Sequence, residues 1–251
     1  MDLGLEGKRA LITGATKGIG RAIAETLLAE GASVAICART ADDVEAAVKE
    51  LAQSGTAIGQ AVDAGDSAAL RAWVAGSAEQ LGGIDLFVHN TSAKPARKLE
   101  DWSKNFQIDL MALVHGVEAA TDALADGGGS VISIGTTATS EHFATGSGSY
   151  SAFKAAVTNW TLGQAQVLGA KGIRCNVVSP GPIFIEGGDW DMIKTHMGAF
   201  YEATAAGHPA GALGTAQDVA DAVVFLASER AKHINGVNLT VDGGFLKRVD
   251  F

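Results

Sequence analysis

Short apolar runs alternate with longer, amphipathic segments along the whole chain. The short runs are rich in β-branched residues and end at polar ones, a pattern that predicts buried strands. They lie at 9–12, 33–37, 56–62, 84–89, 130–134, 173–178 and 237–241. The intervals between them are long enough for helices, as the helical spacing of apolar residues from Val44 to Leu51 illustrates.

This alternation predicts a doubly wound α/β fold, with a seven-stranded parallel sheet and helices on both faces. Its strands are apolar nearly throughout, as expected for strands covered on both sides. We expect a single domain over 1–251, because an α/β chain of this length can bury a full core. The stretch 183–213 mixes glycines with large apolar residues and fits no strand or helix unit. This mixture of residues predicts that 183–213 forms a lid over a pocket.

A glycine-rich turn joins the first predicted strand to the helix that follows it. Glycines allow the backbone to approach a pyrophosphate closely, and the free N–H groups at a helix start stabilise an anion. The strand, turn and helix together predict a Rossmann-type dinucleotide site. The cofactor-binding residues expected from this turn are Gly14, Thr16, Lys17, Gly18, Ile19 and Gly20.

The residues after the second strand bear on the choice of cofactor. A carboxylate at the strand end would bind the ribose hydroxyls of NAD, but this strand is followed by Arg39. Asp42 and Asp43 come later and are better explained as first-turn acids of the next helix. Because Arg39 and Lys17 can bind a 2′-phosphate, we predict NADP(H) in preference to NAD(H). The alternative is that both are solvated surface cations.

Tyr150 and Lys154 are four residues apart and would share one face of a helix. A phenol ordinarily has a pKa near ~10, and a neighbouring ammonium favours the phenolate. The pair is therefore a candidate acid/base for chemistry at a carbonyl. The spacing alone carries little weight, since such pairs also occur by chance on surface helices.

Several motifs occur together in one order and give the chain its resemblance to a known family. They are the glycine turn, Asp63, the segment 89–92, Tyr150 with Lys154, and Asn176 with Pro180 and Gly181. With them the whole chain resembles the short-chain dehydrogenase/reductase family, of the ketoacyl-reductase-like type. The resemblance implies that Tyr150 exchanges a proton with the substrate oxygen. It also implies that Lys154 lowers the pKa of Tyr150 and binds the nicotinamide ribose.

The resemblance further implies hydride transfer between NADP(H) and a carbonyl or secondary alcohol. It implies a homotetramer assembled through the helices expected at 99–125 and 149–168. Large apolar side chains in the lid favour a substrate with an apolar group. The remaining cofactor contacts are assigned by resemblance to Asp63 and Ala64 at the adenine, Asn90 at the ribose and central strands, and Pro180, Gly181 and Ile183 at the nicotinamide.

Two departures from the family pattern fall at catalytic positions. The usual serine at the end of the fifth strand is replaced by Thr136 according to local pattern, or by Thr137 according to its interval from Tyr150. Asp109 stands where the family has an asparagine that is thought to support a water relay through its backbone carbonyl. A buried carboxylate there requires a cationic partner, for which Lys154 is a candidate. The alternative is a solvated or helix-capping aspartate with no catalytic role.

Smaller departures surround the expected cleft. His89, Thr91 and Ser92 replace slimmer residues and predict a bulkier pocket floor. Ile185 stands where the family has a threonine that bonds the nicotinamide amide, so one cofactor hydrogen bond is expected to be lost. His142 precedes Tyr150 in the expected substrate loop, where an exposed position is favoured over a substrate contact.

Charge and composition restrict the remaining functions. A net charge of −9 without a long basic run argues against nucleic-acid binding, and no apolar run reaches the ~20 residues of a membrane span. We therefore expect a cytoplasmic enzyme. Cys37 and Cys175 lie in apolar runs and predict buried thiols without a metal or disulfide role. Two alternative functions remain open: a cofactor-binding sensor or scaffold without turnover, and an epimerase or dehydratase that recycles its cofactor.

Overall fold

The computed structural model describes residues 2–93, 98–99, 102–141 and 148–249. The strands are β1 (Arg9–Thr13), β2 (Ser33–Ala38), β3 (Ala57–Ala61), β4 (Leu86–His89), β5 (Gly129–Ile134), β6 (Ile173–Pro180), β7 (Ile183–Phe184), β8 (Gly214–Thr215) and β9 (Asn238–Val241). Seven of them form one parallel sheet in the order β3-β2-β1-β4-β5-β6-β9, which confirms the predicted doubly wound architecture. A separate two-stranded ribbon pairs β7 with β8.

Helices cover both faces of the sheet. The α-helices are α1 (Gly18–Ala29), α2 (Ala41–Leu51), α3 (Ser67–Leu81), α4 (Trp102–Asn105), α5 (Ala112–Ala125), α6 (Ser149–Leu168), α7 (Asp189–His196), α8 (Gly198–Gly207) and α9 (Ala216–Ala227). Successive residues of β1 point to opposite faces. Ile12 therefore belongs to the core cluster that includes residues of α1, α2 and α9, while Leu11 belongs to the cluster that includes residues of α3, α5 and α6.

The central strands are buried along their length, whereas β3 is a partly exposed edge strand. It spans five residues instead of the predicted seven, and these five are the residues that pair with β2. Gly59 in β3 allows α2 to pack closely, since a Cβ there would lie 2.6 Å from a methyl group of Val48. Cys37 and Cys175 are buried, and burial raises the pKa of each thiol to about 12.

The predicted helix at 99–125 has a different internal geometry. α4 and α5 are joined without a break by a π-helix at Phe106–Met111. A π-helical turn widens the backbone and often accompanies a functional site. Here it places Asp109 facing the carboxyl end of the sheet.

The strand order reverses between β1 and β4, where a doubly wound sheet opens a crevice beyond its carboxyl ends. The predicted lid contains α7 and α8 and is bracketed by β7 and β8. The assignment of 1–251 to one domain stays a prediction. In the described part of the chain, no helix combines the length and apolarity needed to cross a bilayer.

Candidate active site

The glycine turn lies at the end of β1, beside the crevice. Gly14 and Gly18 adopt left-handed backbone angles, with φ of +66° and +61°. A Cβ on Gly20 would lie 2.5 Å from both the Gly14 carbonyl oxygen and Asn90 Nδ2, so the turn depends on glycine there. The side chain of Lys17 does not cap α1. The turn therefore leaves the N–H groups at the start of α1 and the glycine backbone free of side chains, and both suit the binding of a dinucleotide diphosphate.

Asn90 ties the ends of the two central strands together. Its Nδ2 donates to the carbonyl oxygens of Thr13 at 3.1 Å and Gly14 at 2.7 Å. In return, Thr13 Oγ1 accepts hydrogen bonds from the backbone N–H groups of Asn90 and Thr91, at 3.0 and 3.2 Å. Asn90 thus supports the central strands, as the family resemblance implies. Its proposed contact with the cofactor ribose stays a prediction.

Two cations flank the glycine turn on the side of β2. Arg39 and Lys17 are exposed, and neither side chain forms a hydrogen bond or ion pair with another residue that the structure describes. Arg21 nearby differs, because it pairs with Glu25 at 2.7 Å and Glu50 at 3.0 Å. Two cations are therefore left available for an anionic ligand.

The acidic residues near this turn have separate roles. Asp42 and Asp43 lie in the first turn of α2, as the sequence predicts. Asp63 is exposed and its Oδ1 accepts from the Gly65 N–H at 2.9 Å, while Ala64 is buried. Asp63 thus shapes a turn at the edge of the crevice, and its contact with adenine stays a prediction.

Tyr150 and Lys154 lie one turn apart near the start of α6. Tyr150 is partly exposed, whereas Lys154 is only 1% exposed. The side chain of Thr136 acts on the Tyr150 phenol and lowers its pKa. Both Thr136 and Thr137 are buried, at the start of a short 3-10 helix. The assignment of Thr136 as the partner of Tyr150 stays a prediction, which this effect on the pKa supports.

The pKa of Tyr150 is raised, whereas the resemblance implies that Lys154 lowers it. Burial raises this pKa to about 12, and the side chain of Thr136 opposes the rise only in part. The charges of Asp109 and Asp189 raise the pKa further. Tyr150 is therefore a neutral phenol at physiological pH and can donate a proton.

Asp109 is a fully buried carboxylate held by four partners. Its Oδ1 lies 3.7 Å from Lys154 Nζ and accepts a hydrogen bond from Ser92 Oγ. Its Oδ2 accepts from the Ala93 N–H at 3.1 Å and from Asn105 Nδ2 at 3.0 Å. The expected pairing with Lys154 is present, and the alternative of a solvated or capping aspartate is wrong.

Lys154 is fixed from two sides. Its Nζ donates to the Ile134 carbonyl oxygen at 2.8 Å, in addition to its pairing with Asp109. Burial lowers the pKa of Lys154, and the negative charge of Asp109 opposes that shift. The ammonium is therefore positioned before any ligand arrives.

His89 lies beneath this cluster and does not line the pocket. It is fully buried, and its Nε2 lies 2.9 Å from the Asp109 carbonyl oxygen. A carbonyl only accepts, so Nε2 carries the proton. Burial, followed by the charge of Lys154, lowers the pKa of His89 to about 3. The expectation that His89 adds bulk to the pocket floor is wrong, because its ring braces the π-helix instead.

Sequence reasoning missed the supporting role of three polar residues. Ser149 Oγ donates to Asn105 Oδ1 at 2.7 Å, and Asn105 in turn donates to Asp109, which also accepts from Ser92. The role of Asn105 could be predicted from its position four residues, or one helical turn, before Asp109. For Ser92 and Ser149, the sequence carries no comparable signal.

The segment after β6 lies over the glycine turn. Pro180 and Ile183 are buried, and the Gly181 N–H donates to the Val241 carbonyl oxygen at 2.9 Å. A Cβ on Gly18 would lie 3.3 Å from Ile185 Cδ1, so this isoleucine reaches the turn. The proposed contact of Pro180, Gly181 and Ile183 with the nicotinamide stays a prediction.

The lid carries a cluster of aromatic side chains. Trp190 stacks with Phe200 at 6.0 Å between ring centroids, and Phe184 meets Tyr201 edge to face at 6.3 Å. Lys194 Nζ lies 5.2 and 5.4 Å from the ring centres of Phe184 and Tyr201. The lid thus presents an apolar surface. His142, the predicted loop residue, lies outside the described residues.

Comparison with known proteins assigns the chain to a family. The sequence profile of the family described as enoyl-(acyl carrier protein) reductase matches residues 14–246. Isoepoxydon dehydrogenase of Penicillium expansum is 36% identical over 250 residues, covering 97% of this chain and 96% of that protein. The 3-oxoacyl-(acyl-carrier-protein) reductase of Vibrio cholerae is 34% identical over 248 residues, covering 96% of this chain and 98% of that protein.

Solved structures agree with these relatives. A short-chain dehydrogenase from Burkholderia cenocepacia in complex with NADP is 35% identical, with a TM-score of 0.88 over 96% of this chain and 98% of its own. L-Sorbose reductase from Gluconobacter frateurii, complexed with NADPH and L-sorbose, is 28% identical, with a TM-score of 0.91 over 99% of this chain and 100% of its own. On this evidence, the chain belongs to the short-chain dehydrogenase/reductase family, whose members transfer hydride as oxidoreductases.

Proposed function

We propose that this protein is an NADP(H)-dependent reductase or dehydrogenase that interconverts a carbonyl and a secondary alcohol, with Tyr150 as the acid/base. The observation that carries the proposal is the placement of Tyr150, a partly exposed residue whose pKa the side chain of Thr136 lowers. Lys154 stands one turn away on the same helix. An acid and a cation thus lie on one face of α6, and a second hydroxyl acts on the acid.

The proposed cofactor is NADP(H), with NAD(H) as the weaker ligand. When bound, its nicotinamide supplies or accepts the hydride. Two solved relatives hold NADP or NADPH, and the unpaired cations Arg39 and Lys17 suit a 2′-phosphate. The residues proposed to hold the rest of the cofactor are Gly14, Thr16, Gly18, Ile19, Gly20, Asp63, Ala64, Asn90, Tyr150, Lys154, Pro180, Gly181 and Ile183.

Proton transfer is proposed to run through Tyr150. Because burial raises its pKa to about 12, the phenol is protonated at neutral pH and can give its proton to the oxygen of a carbonyl undergoing reduction. Thr136 orients that oxygen through its hydroxyl. Lys154 then stabilises the negative charge left on the phenol oxygen.

The proposed substrate is a small carbonyl or alcohol compound with an apolar group. The exposed side chains of Met192, Met197 and Phe200 on the lid support an apolar contact.

We also propose a cytoplasmic homotetramer, with contacts through α5 and α6. Val167 of α6 is 64% exposed and suits such a contact, which sedimentation would test.

The test is cofactor consumption measured by absorbance with a panel of ketones. We expect NADPH to be consumed in proportion to alcohol formed, and NADH to react more slowly at equal concentration. A protein that binds NADPH and consumes none with any ketone would favour a sensor. Conversion of substrate without net consumption would favour an epimerase or dehydratase.

A further inference from the structure

Asn105 is a fully buried amide at the joint between α4 and the π-helix. Its Oδ1 accepts a hydrogen bond from Ser149 Oγ at 2.7 Å, and its Nδ2 donates to the Ala93 carbonyl oxygen at 3.3 Å and to Asp109 Oδ2 at 3.0 Å. The Ala93 carbonyl can only accept, which fixes the orientation of the amide. Both the donor and the acceptor capacity of Asn105 are therefore used.

The three partners of this amide belong to separate segments that meet at the site. Ser149 is the first residue of α6 and directly precedes Tyr150. Asp109 lies on the π-helix, and its Oδ1 is 3.7 Å from Lys154 Nζ. Ala93 follows β4, and its N–H donates to Asp109 Oδ2 at 3.1 Å. One side chain thus connects the residue before Tyr150 with the partner of Lys154.

Aromatic packing brings α6 against this joint, and the hydrogen bond defines its position more narrowly. Trp102 and Phe106 lie on either side of Asn105 in the chain, and their ring centroids are 6.0 and 5.9 Å from that of Phe153 on α6. Apolar packing is non-directional, whereas a hydrogen bond weakens steeply when its geometry changes. The buried bond from Ser149 therefore restricts how far the start of α6 can shift or turn.

We propose that Asn105 is a positioning residue that keeps Tyr150 and Lys154 in one relative geometry. It does so through Ser149 at the start of α6 and through Asp109 beside Lys154. The inference rests on the proposed function for its catalytic meaning. Because a displacement of about 1 Å can cost about 10²-fold in rate, loss of the amide should slow hydride transfer even in a folded protein.

Hydrogen–deuterium exchange tests the connection to α6 without cofactor or substrate. Ser149→Ala removes one bond of the Asn105 amide and retains the bonds to Ala93 and Asp109. Exchange of the backbone amides in the first turns of α6 should become about 2- to 10-fold faster in this variant, because one buried hydrogen bond makes a modest net contribution to local stability. An unchanged exchange rate in these turns would overturn the inference.

Single-turnover hydride transfer at saturating NADPH, with a ketone that the unaltered protein reduces, tests the catalytic consequence. The rate should fall about 3- to 10-fold in Ser149→Ala and about 10- to 10²-fold in Asn105→Leu, which also releases Asp109. The double variant should be no slower than Asn105→Leu alone, since both changes act through the same amide. Binding of NADPH should stay unchanged, because the glycine turn is untouched. If Asn105→Leu does not fold, Ser149→Ala alone decides the outcome.

Thr161→Val is the matched control, because it removes another buried hydrogen bond of the same helix. Thr161 Oγ1 and Ser133 Oγ are 2.8 Å apart in the core. This change should lower the free energy of unfolding in urea without slowing hydride transfer. Equal slowing in Thr161→Val, or unchanged transfer in folded Ser149→Ala, would overturn the inference. If the unaltered protein reduces no ketone, the proposed function fails, and the exchange rates still decide whether Asn105 fixes the start of α6.

Discussion

The cations on the two flanks of the crevice differ in their exposure and in their partners. On the cofactor flank, Arg39 and Lys17 are exposed and have no partner in the described part of the chain. On the catalytic flank, Lys154 is buried between the Ile134 carbonyl and the Asp109 carboxylate. The two exposed cations are open to an anionic ligand, while the buried cation is fixed by its partners.

The energetic difference follows from burial. Exposed ion pairs contribute little to stability, so Arg39 and Lys17 lose little by remaining unpaired. A buried pair is costly unless further hydrogen bonds satisfy both partners, as Ser92 and Asn105 do for Asp109. Changes on the catalytic flank should therefore affect turnover, whereas changes on the cofactor flank should affect binding.

Tyr150→Phe should give the largest effect. Removal of the acid should lower turnover about 10³-fold or more, since positioned acid/base groups typically contribute 10²–10⁴-fold. Binding of NADPH, measured by fluorescence titration, should change little, because the glycine turn is untouched. Retention of most turnover would show that another group supplies the proton.

Thr136→Val should come next, with Thr137→Val as its matched control. Loss of the hydroxyl proposed to orient the substrate oxygen should lower kcat/KM about 10²-fold, as expected for one hydrogen bond at a reacting oxygen. The same change at the buried Thr137 should leave most activity. Equal losses in steady-state assays of the two variants would contradict the assignment of Thr136.

Arg39→Ala tests the cofactor flank. A charged hydrogen bond to a phosphate is worth about 1.5–3 kcal/mol, so the Michaelis constant for NADPH should rise about 10-fold or more, with that for NADH unchanged. Arg21→Ala is the control, because Arg21 already pairs with Glu25 and Glu50. An equal change for both cofactors would remove the proposed role in phosphate selection.

The burial of neutral His89 predicts a smaller effect, a dependence of the free energy of unfolding on pH. Its folded pKa of about 3 lies below the unfolded value near ~6.5, so the unfolded chain takes up a proton first as pH falls. The stability contributed by neutral His89 is present above about pH 6.5 and declines below it by about 1.4 kcal/mol per pH unit. Urea unfolding should show a shallower decline for His89→Asn, and identical slopes would contradict a buried neutral histidine.

Local spacing predicts the strands, the glycine turn and the placement of Tyr150 and Lys154 on one helix, because each depends on residues close in sequence. The Asp109 cluster required the fold, since its partners come from 92–93, 105 and 154. The position of His89 and the direction of the Tyr150 pKa also depend on burial, which spacing does not specify. The predicted strand 56–62 exceeds β3 by one residue at each end, since only Ala57–Ala61 pair with β2.

The most direct test of the central claim follows the hydride to its destination. The protein is incubated with a ketone and NADPH that carries deuterium at the transferable positions of the nicotinamide. The account predicts deuterium on the carbinol carbon of the product with the unaltered protein, and almost none in the same time with Tyr150→Phe. Product without deuterium, or equal product from both proteins, would contradict it.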